Sequence, residues 1–204
     1  MNKQLGLKIF VHCTSWLPLV WLVYAALNQL LGGDPQTKLM HELGLWGLIF
    51  LLASLSMTPL KNVSGYSGWI RYRRLLGLYS YFYLILHVLT YFWLYLDFSV
   101  HDLADEIVKR PYIMIGAVGI LLMTPLAITS TRYAQKRLGK SWKKLHKMVY
   151  FIAFAGLVHQ IWQSKSDINE PMIYICWWVV LMLLRVEKVV GLVKMESSRS
   201  KQSA

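Results

Sequence analysis

Charge is scarce in this sequence. Of its 204 residues only 16% are Asp, Glu, Lys or Arg, while 56% are hydrophobic and 14% aromatic; an ordinary soluble domain carries about 25% charged residues. A soluble globular protein is excluded. Cysteine is nearly absent as well. Cys13 and Cys176 form no CxxC pair and offer no disulfide framework, so both read as apolar residues of helices. Acidic residues number 10 against 22 Lys plus Arg. In a soluble chain that balance suggests nucleic acid, but in a chain this apolar it is first a topology signal. Length sets a further limit. Six spans of about 20 residues would consume ~120 positions, which leaves no room for a separate nucleotide or flavin domain of about 100 residues or more. Any chemistry sits among the helices or belongs to a partner. The apolar run after the first eight residues is long and lacks a small-x-small cleavage site, so it reads as a retained first span rather than a signal peptide.

What is present is a series of apolar runs. Uncharged stretches at 9–27, 43–60, 75–96 and 112–128 are near the length that crosses hydrocarbon. Two shorter ones, 148–162 and 171–184, reach that length with help from snorkelling side chains: Lys143, Lys144 and Lys147 before the fifth, Arg185 and Lys188 after the sixth. The expected fold is an all-α integral membrane bundle of six transmembrane helices with both termini cytoplasmic. It forms a single domain over residues 1–195, followed by a disordered Ser- and Lys-rich tail at 196–204. With this topology 18 of the 22 Lys and Arg residues fall inside; the outside set is Lys38, Lys109, Arg110 and Lys165. Anionic lipid is then a natural neighbour. Gly32-Gly33-Asp34-Pro35 turns the first hairpin, and Arg110-Pro111 opens the fourth helix. Met-Thr-Pro-Leu recurs at 57–60 and 123–126, where proline is expected to end each helix.

Histidine at membrane depth is costly and marks functional candidates. His12, His41 and His101 fall near helix ends or in the outer loop and read as interfacial or solvated, with His41 also placed to face an external ligand. His87, His146 and His159 lie in or beside apolar sequence. Taking ~1.5 Å of rise per residue, His87 stands ~20 Å above the Arg74 end of the third helix and His159 ~22 Å above the Lys144 end of the fifth. Two level imidazoles on rising helices suit an iron porphyrin, which takes axial ligands from opposite faces and has an apolar body. Zinc or copper fits less well, since nothing nearby completes a set of four ligands; satisfied interior histidines and a proton relay stay open as readings. His146 lies ~20 Å deeper than His159. At that height the third helix offers Arg73 and Arg74 but no histidine.

The chain resembles the MsrQ or YedZ family, the haem-binding membrane subunits of the periplasmic protein-methionine-sulfoxide reductase system. The resemblance runs over nearly the whole chain. It rests on His41-Glu-Leu-Gly44, Ile70-Arg-Tyr-Arg-Arg-Leu-Leu-Gly77, His87, Lys109-Arg-Pro-Tyr112, Thr129-Ser-Thr131, Leu138-Gly-Lys-Ser-Trp-Lys-Lys-Leu-His146 and His159. It implies a multi-pass protein of the bacterial inner membrane, a relative of the ferric reductases and NADPH oxidases without their cytoplasmic flavin and nicotinamide domain. It further implies a transmembrane b-type cytochrome with one or two haems, cofactor and iron ligands at His87, His159 and His146, and FMN at unassigned residues. Electrons would come from the quinone pool or a cytoplasmic flavin reductase. They would pass to a periplasmic molybdenum-cofactor methionine sulfoxide reductase that repairs oxidised proteins, leaving this chain a carrier. Arg71, Arg73, Arg74, Lys143 and Lys144 surround the inner entrance, and the acidic outer loop 97–106 is a docking surface in this scheme. The rivals are a self-sufficient ferric or cupric metalloreductase and a haem-free transporter or proton relay.

Overall fold

The first turn is set by local chemistry. Gly32 adopts φ 90°, and the Asp34 side chain accepts from the Thr37 amide at 3.1 Å, capping a helix whose first turn holds Pro35, where a missing N–H costs nothing. The computed structural model describes residues 3–164 and 168–202. Lys165, expected on the outer side, lies outside them. The described residues form α1 (Lys3–Leu27), α2 (Pro35–Ser64), α3 (Trp69–Leu94), α4 (Val100–Lys109), α5 (Pro111–Ile128), α6 (Arg132–Leu138), α7 (Lys140–His146), α8 (Val149–Gln163) and α9 (Asn169–Gln202). Helix α9 thus continues over the first part of the stretch expected as a tail; residues 203–204 lie outside the described ones.

Five of these helices contain segments long and apolar enough to cross a membrane: Leu5–Leu27, Pro35–Ser64, Trp69–Leu94, Pro111–Ile128 and Asn169–Val186. Helix α8, at 15 residues, is not among them. Half of the apolar window of α2 is buried inside the protein, against 22% or less for the others, so α2 is the central helix. It packs chiefly against α3, as α5 does against α8, giving two helix pairs that meet along α3 and α5 and along α2 and α8. Phe10, Leu17, Val20 and Trp21 of α1 are exposed, as lipid-facing side chains are.

Apolar burial drives little association in lipid, so close backbone approach and hydrogen bonds hold such a bundle. The α2–α3 seam has both. Ser80 donates to the Gly47 carbonyl at 2.6 Å, Ser54 donates to the Arg73 carbonyl at 2.7 Å, and a Cβ at Gly47 would lie 2.7 Å from the Leu84 side chain. Tyr83, fully buried, reaches α1: its hydroxyl donates to the Ser15 carbonyl at 2.8 Å and accepts from the Leu19 amide at 3.1 Å.

Two expectations are corrected. Pro59 and Pro125 lie inside α2 and α5 rather than ending them. At Pro59 the helix survives because the carbonyl that proline cannot serve, that of Leu55, accepts instead from Arg185 Nη2 of α9 at 2.6 Å. The acidic outer loop is largely a helix, α4, capped by Ser99, which accepts from the Asp102 amide at 3.2 Å, and braced by a Lys109–Asp105 pair at 2.7 Å.

Candidate functional site

The two helix pairs each carry one braced imidazole. His87 on α3 has Nδ1 2.9 Å from the Met40 carbonyl of α2, and His159 on α8 has Nδ1 2.6 Å from the Tyr112 carbonyl of α5. A carbonyl only accepts, so each Nδ1 carries the proton and each Nε2 keeps its lone pair, the tautomer a metal ligand needs. Each carbonyl lies 47 residues before its histidine. The rings face one another with centroids 6.3 Å apart and planes at 81°. With metal–imidazole bonds of about 2 Å, ring centroids 6.3 Å apart are close enough for both imidazoles to reach one metal ion. His87 and His159 would be the residues to hold such an ion. No cluster of three or more His, Cys, Asp or Glu able to hold an ion occurs among the described residues.

A polar cluster roofs the Tyr112 side. Glu106 of α4 accepts from the Tyr91 hydroxyl at 3.0 Å and pairs with Arg110 Nε at 2.8 Å, and Arg110 Nη1 donates to the Tyr112 hydroxyl at 3.2 Å. The outer helix is thereby tied to the residue whose carbonyl holds His159.

His146 stands apart from this pair, at the end of α7 beside the Trp142 ring, which stacks on it at 4.1 Å and 25°. Thr129 gives its hydroxyl proton to the Pro125 carbonyl at 2.6 Å, so His146 Nε2, 3.1 Å away, donates to Thr129. His146 therefore offers Nδ1, the opposite nitrogen to that of the outer pair. Burial, and then the charge of Arg73, hold its pKa below the ordinary imidazole value. It lines a cavity of about 1480 Å³ with Arg71, Arg73, Arg74 and Lys143; Lys144 is absent from the lining.

Of the other histidines, His101 is solvent-exposed beside Asp102 at 3.6 Å, and His41 contacts the Gln163 side chain near the outer pair. His12, read as interfacial, has a partner the sequence does not show. It lines the same inner cavity, with Nδ1 2.7 Å from the Tyr79 hydroxyl. Its place on the first helix hid this, since its Tyr79 partner lies 67 residues away in the chain. The carbonyls of Met40 and Tyr112 carry no side-chain signature, although both lie in or beside the blocks at His41–Gly44 and Lys109–Tyr112.

The helices and the paired imidazoles define a multi-pass membrane protein with two braced histidines facing one another between its helix pairs. Residues 40–157 match the family described as ferric reductase like transmembrane component, a match that takes in His87 and His146 and ends just before His159. A curated relative from Polaromonas naphthalenivorans (strain CJ2), the protein-methionine-sulfoxide reductase heme-binding subunit MsrQ, is 42% identical over 181 residues, 87% of this chain and 82% of the relative. The chain belongs to the MsrQ family of multi-pass membrane proteins.

Proposed function

We propose that this chain is a membrane haem subunit that carries electrons across the bacterial inner membrane to a methionine sulfoxide reductase on the periplasmic side. One observation carries the reading: His87 and His159 face each other at 6.3 Å with both Nδ1 atoms committed to carbonyls, which suits axial ligation of one b haem. Such a haem supplies one-electron redox chemistry. The chain's own residues fix the imidazole tautomers, surround the site with apolar helices and set its burial.

His146 is the candidate for a second, inner haem with one protein ligand, or for a quinone or flavin contact. The cavity supports this, since Arg71, Arg73, Arg74 and Lys143 line it and match haem propionates, a flavin phosphate such as that of FMN, or an acidic partner. Electrons enter there from the quinone pool or a cytoplasmic flavin reductase. The acidic face of α4 docks the periplasmic enzyme, whose molybdenum centre performs the sulfoxide chemistry. In this scheme α8 completes six spans within one domain over residues 1–195, both termini are cytoplasmic, and no nucleic acid is involved.

Oxidised and dithionite-reduced spectra of the detergent-purified protein, with haem quantified per chain, test the reading. Loss of the low-spin b-type spectrum in His87→Ala and His159→Ala is expected, and the haem left in His146→Ala counts the inner site. A colourless wild type, expressed with ample haem, overturns the proposal in favour of a proton relay.

A further inference from the structure

The bracing of the two outer histidines is duplicated beyond the carbonyls. One helical turn after Met40 comes Gly44, and one turn after Tyr112 comes Gly116. A Cβ at Gly44 would lie 2.9 Å from His87 Nδ1 and 3.1 Å from its Cε1; a Cβ at Gly116 would lie 3.0 Å from both Nδ1 and Cε1 of His159. Each imidazole therefore rests against a bare stretch of helix backbone, on the edge whose nitrogen is already tied to a carbonyl. With Nδ1 tied, the freedom left to each ring is a tilt about the Nδ1–carbonyl contact, and the neighbouring helix backbone limits it. Gly119, on the same helix as Gly116, is different: nothing lies within 4 Å of the Cβ it lacks. Helix α5 does not need glycine in general; it needs one where the ring lies.

We propose that Gly44 and Gly116 are positioning residues that set the imidazole planes of His87 and His159 nearly perpendicular, and thereby the electronic structure of whatever iron the two hold. The proposal rests on the haem reading above. Perpendicular axial imidazoles direct their π orbitals at different iron d orbitals and leave those orbitals close in energy. Parallel imidazoles act on the same orbital and split the set. A low-spin ferric haem reports the difference in its EPR spectrum, strongly anisotropic in the first case and rhombic in the second.

The test is low-temperature EPR and potentiometry on the purified haem-loaded protein, for wild type, Gly44→Ala, Gly116→Ala and Gly119→Ala. A strongly anisotropic low-spin signal is expected from wild type and from G119A. G44A and G116A should each retain a low-spin haem while the signal moves toward the rhombic form and the midpoint potential shifts. If G44A fails to accumulate, G116A carries the comparison. A rhombic wild-type signal, or variants indistinguishable from wild type, overturns the proposal while leaving the bis-histidine reading intact. Absence of a low-spin haem from the wild type overturns the functional reading itself.

Discussion

Arg185 of α9 donates to the Leu55 carbonyl of α2 at 2.6 Å, the acceptor that Pro59 leaves open four residues on. The guanidinium also donates to the Leu181 carbonyl at 2.7 Å and lies 5.2 Å above the Tyr150 ring. Arg185→Leu strands the Leu55 carbonyl and should lower stability by about 1–3 kcal/mol. Pro59→Ala restores the helix's own N–H at that point, so the double variant should lose less than R185L alone. Thermal unfolding in detergent measures the cycle; strictly additive losses would show that the arginine does not serve this carbonyl.

The Tyr83 hydroxyl joins α3 to α1 by bonding both Ser15 and Leu19. Tyr83→Phe keeps the ring and removes that link, with an expected cost of about 1 kcal/mol. Faster amide exchange should appear at Leu19 before the rest of α1. Unchanged protection there would mean that packing alone docks the first helix.

Thr129 holds the Nε2 side of His146. Thr129→Val keeps the size of the side chain and removes the acceptor, which should weaken retention of an inner cofactor roughly 10- to 100-fold, as loss of a ligand's hydrogen-bond partner commonly does. Cofactor counts per chain after dilution read this out, and the outer site serves as the internal control. Equal loss from both sites would contradict the local role.

On α4, the hydrogen bond and charge of Lys109 lower the Asp105 pKa, and Asp105 raises that of Lys109. The carboxylate's contribution is present above its ordinary pKa and is lost as pH falls through the lowered value. The ammonium's is present below its ordinary pKa and is lost as pH rises through the raised one. Between about pH 5 and pH 9 the pair should therefore be constant. Amide protection along α4, corrected for the intrinsic pH dependence of exchange, should be flat across that window in wild type and in Asp105→Asn, with wild type the more protected of the two wherever the pair is intact. Both groups are exposed, so added salt should shrink the difference.

The level heights of His87 and His159 are legible in the sequence because helical rise is constant and the flanking Arg and Lys residues mark the membrane edge. That they could face one another across a gap between helices is legible too; their spacing and ring angle are not, since these depend on how the α2–α3 pair meets the α5–α8 pair. Helix α4 reads as loop from its charge, although Ser99 three residues before Asp102 and Asp105 four before Lys109 are helix signals. Pro59 reads as a helix end because its rescuer, Arg185, acts on a carbonyl 130 residues away in the chain. His12 reads as interfacial for the same reason, its Tyr79 partner being 67 residues distant.

Each outer imidazole takes its carbonyl from the helix it packs on, His87 within the α2–α3 pair and His159 within the α5–α8 pair. Ring orientation and ring separation are thereby under separate control. A sliding or splaying of one helix pair against the other changes the gap between the histidines and leaves each tautomer and tilt untouched. A sequence change inside one pair does the reverse. Under the haem reading proposed above, packing between the pairs would set how closely the two histidines approach an iron, and packing within each pair would set the ring that approaches it.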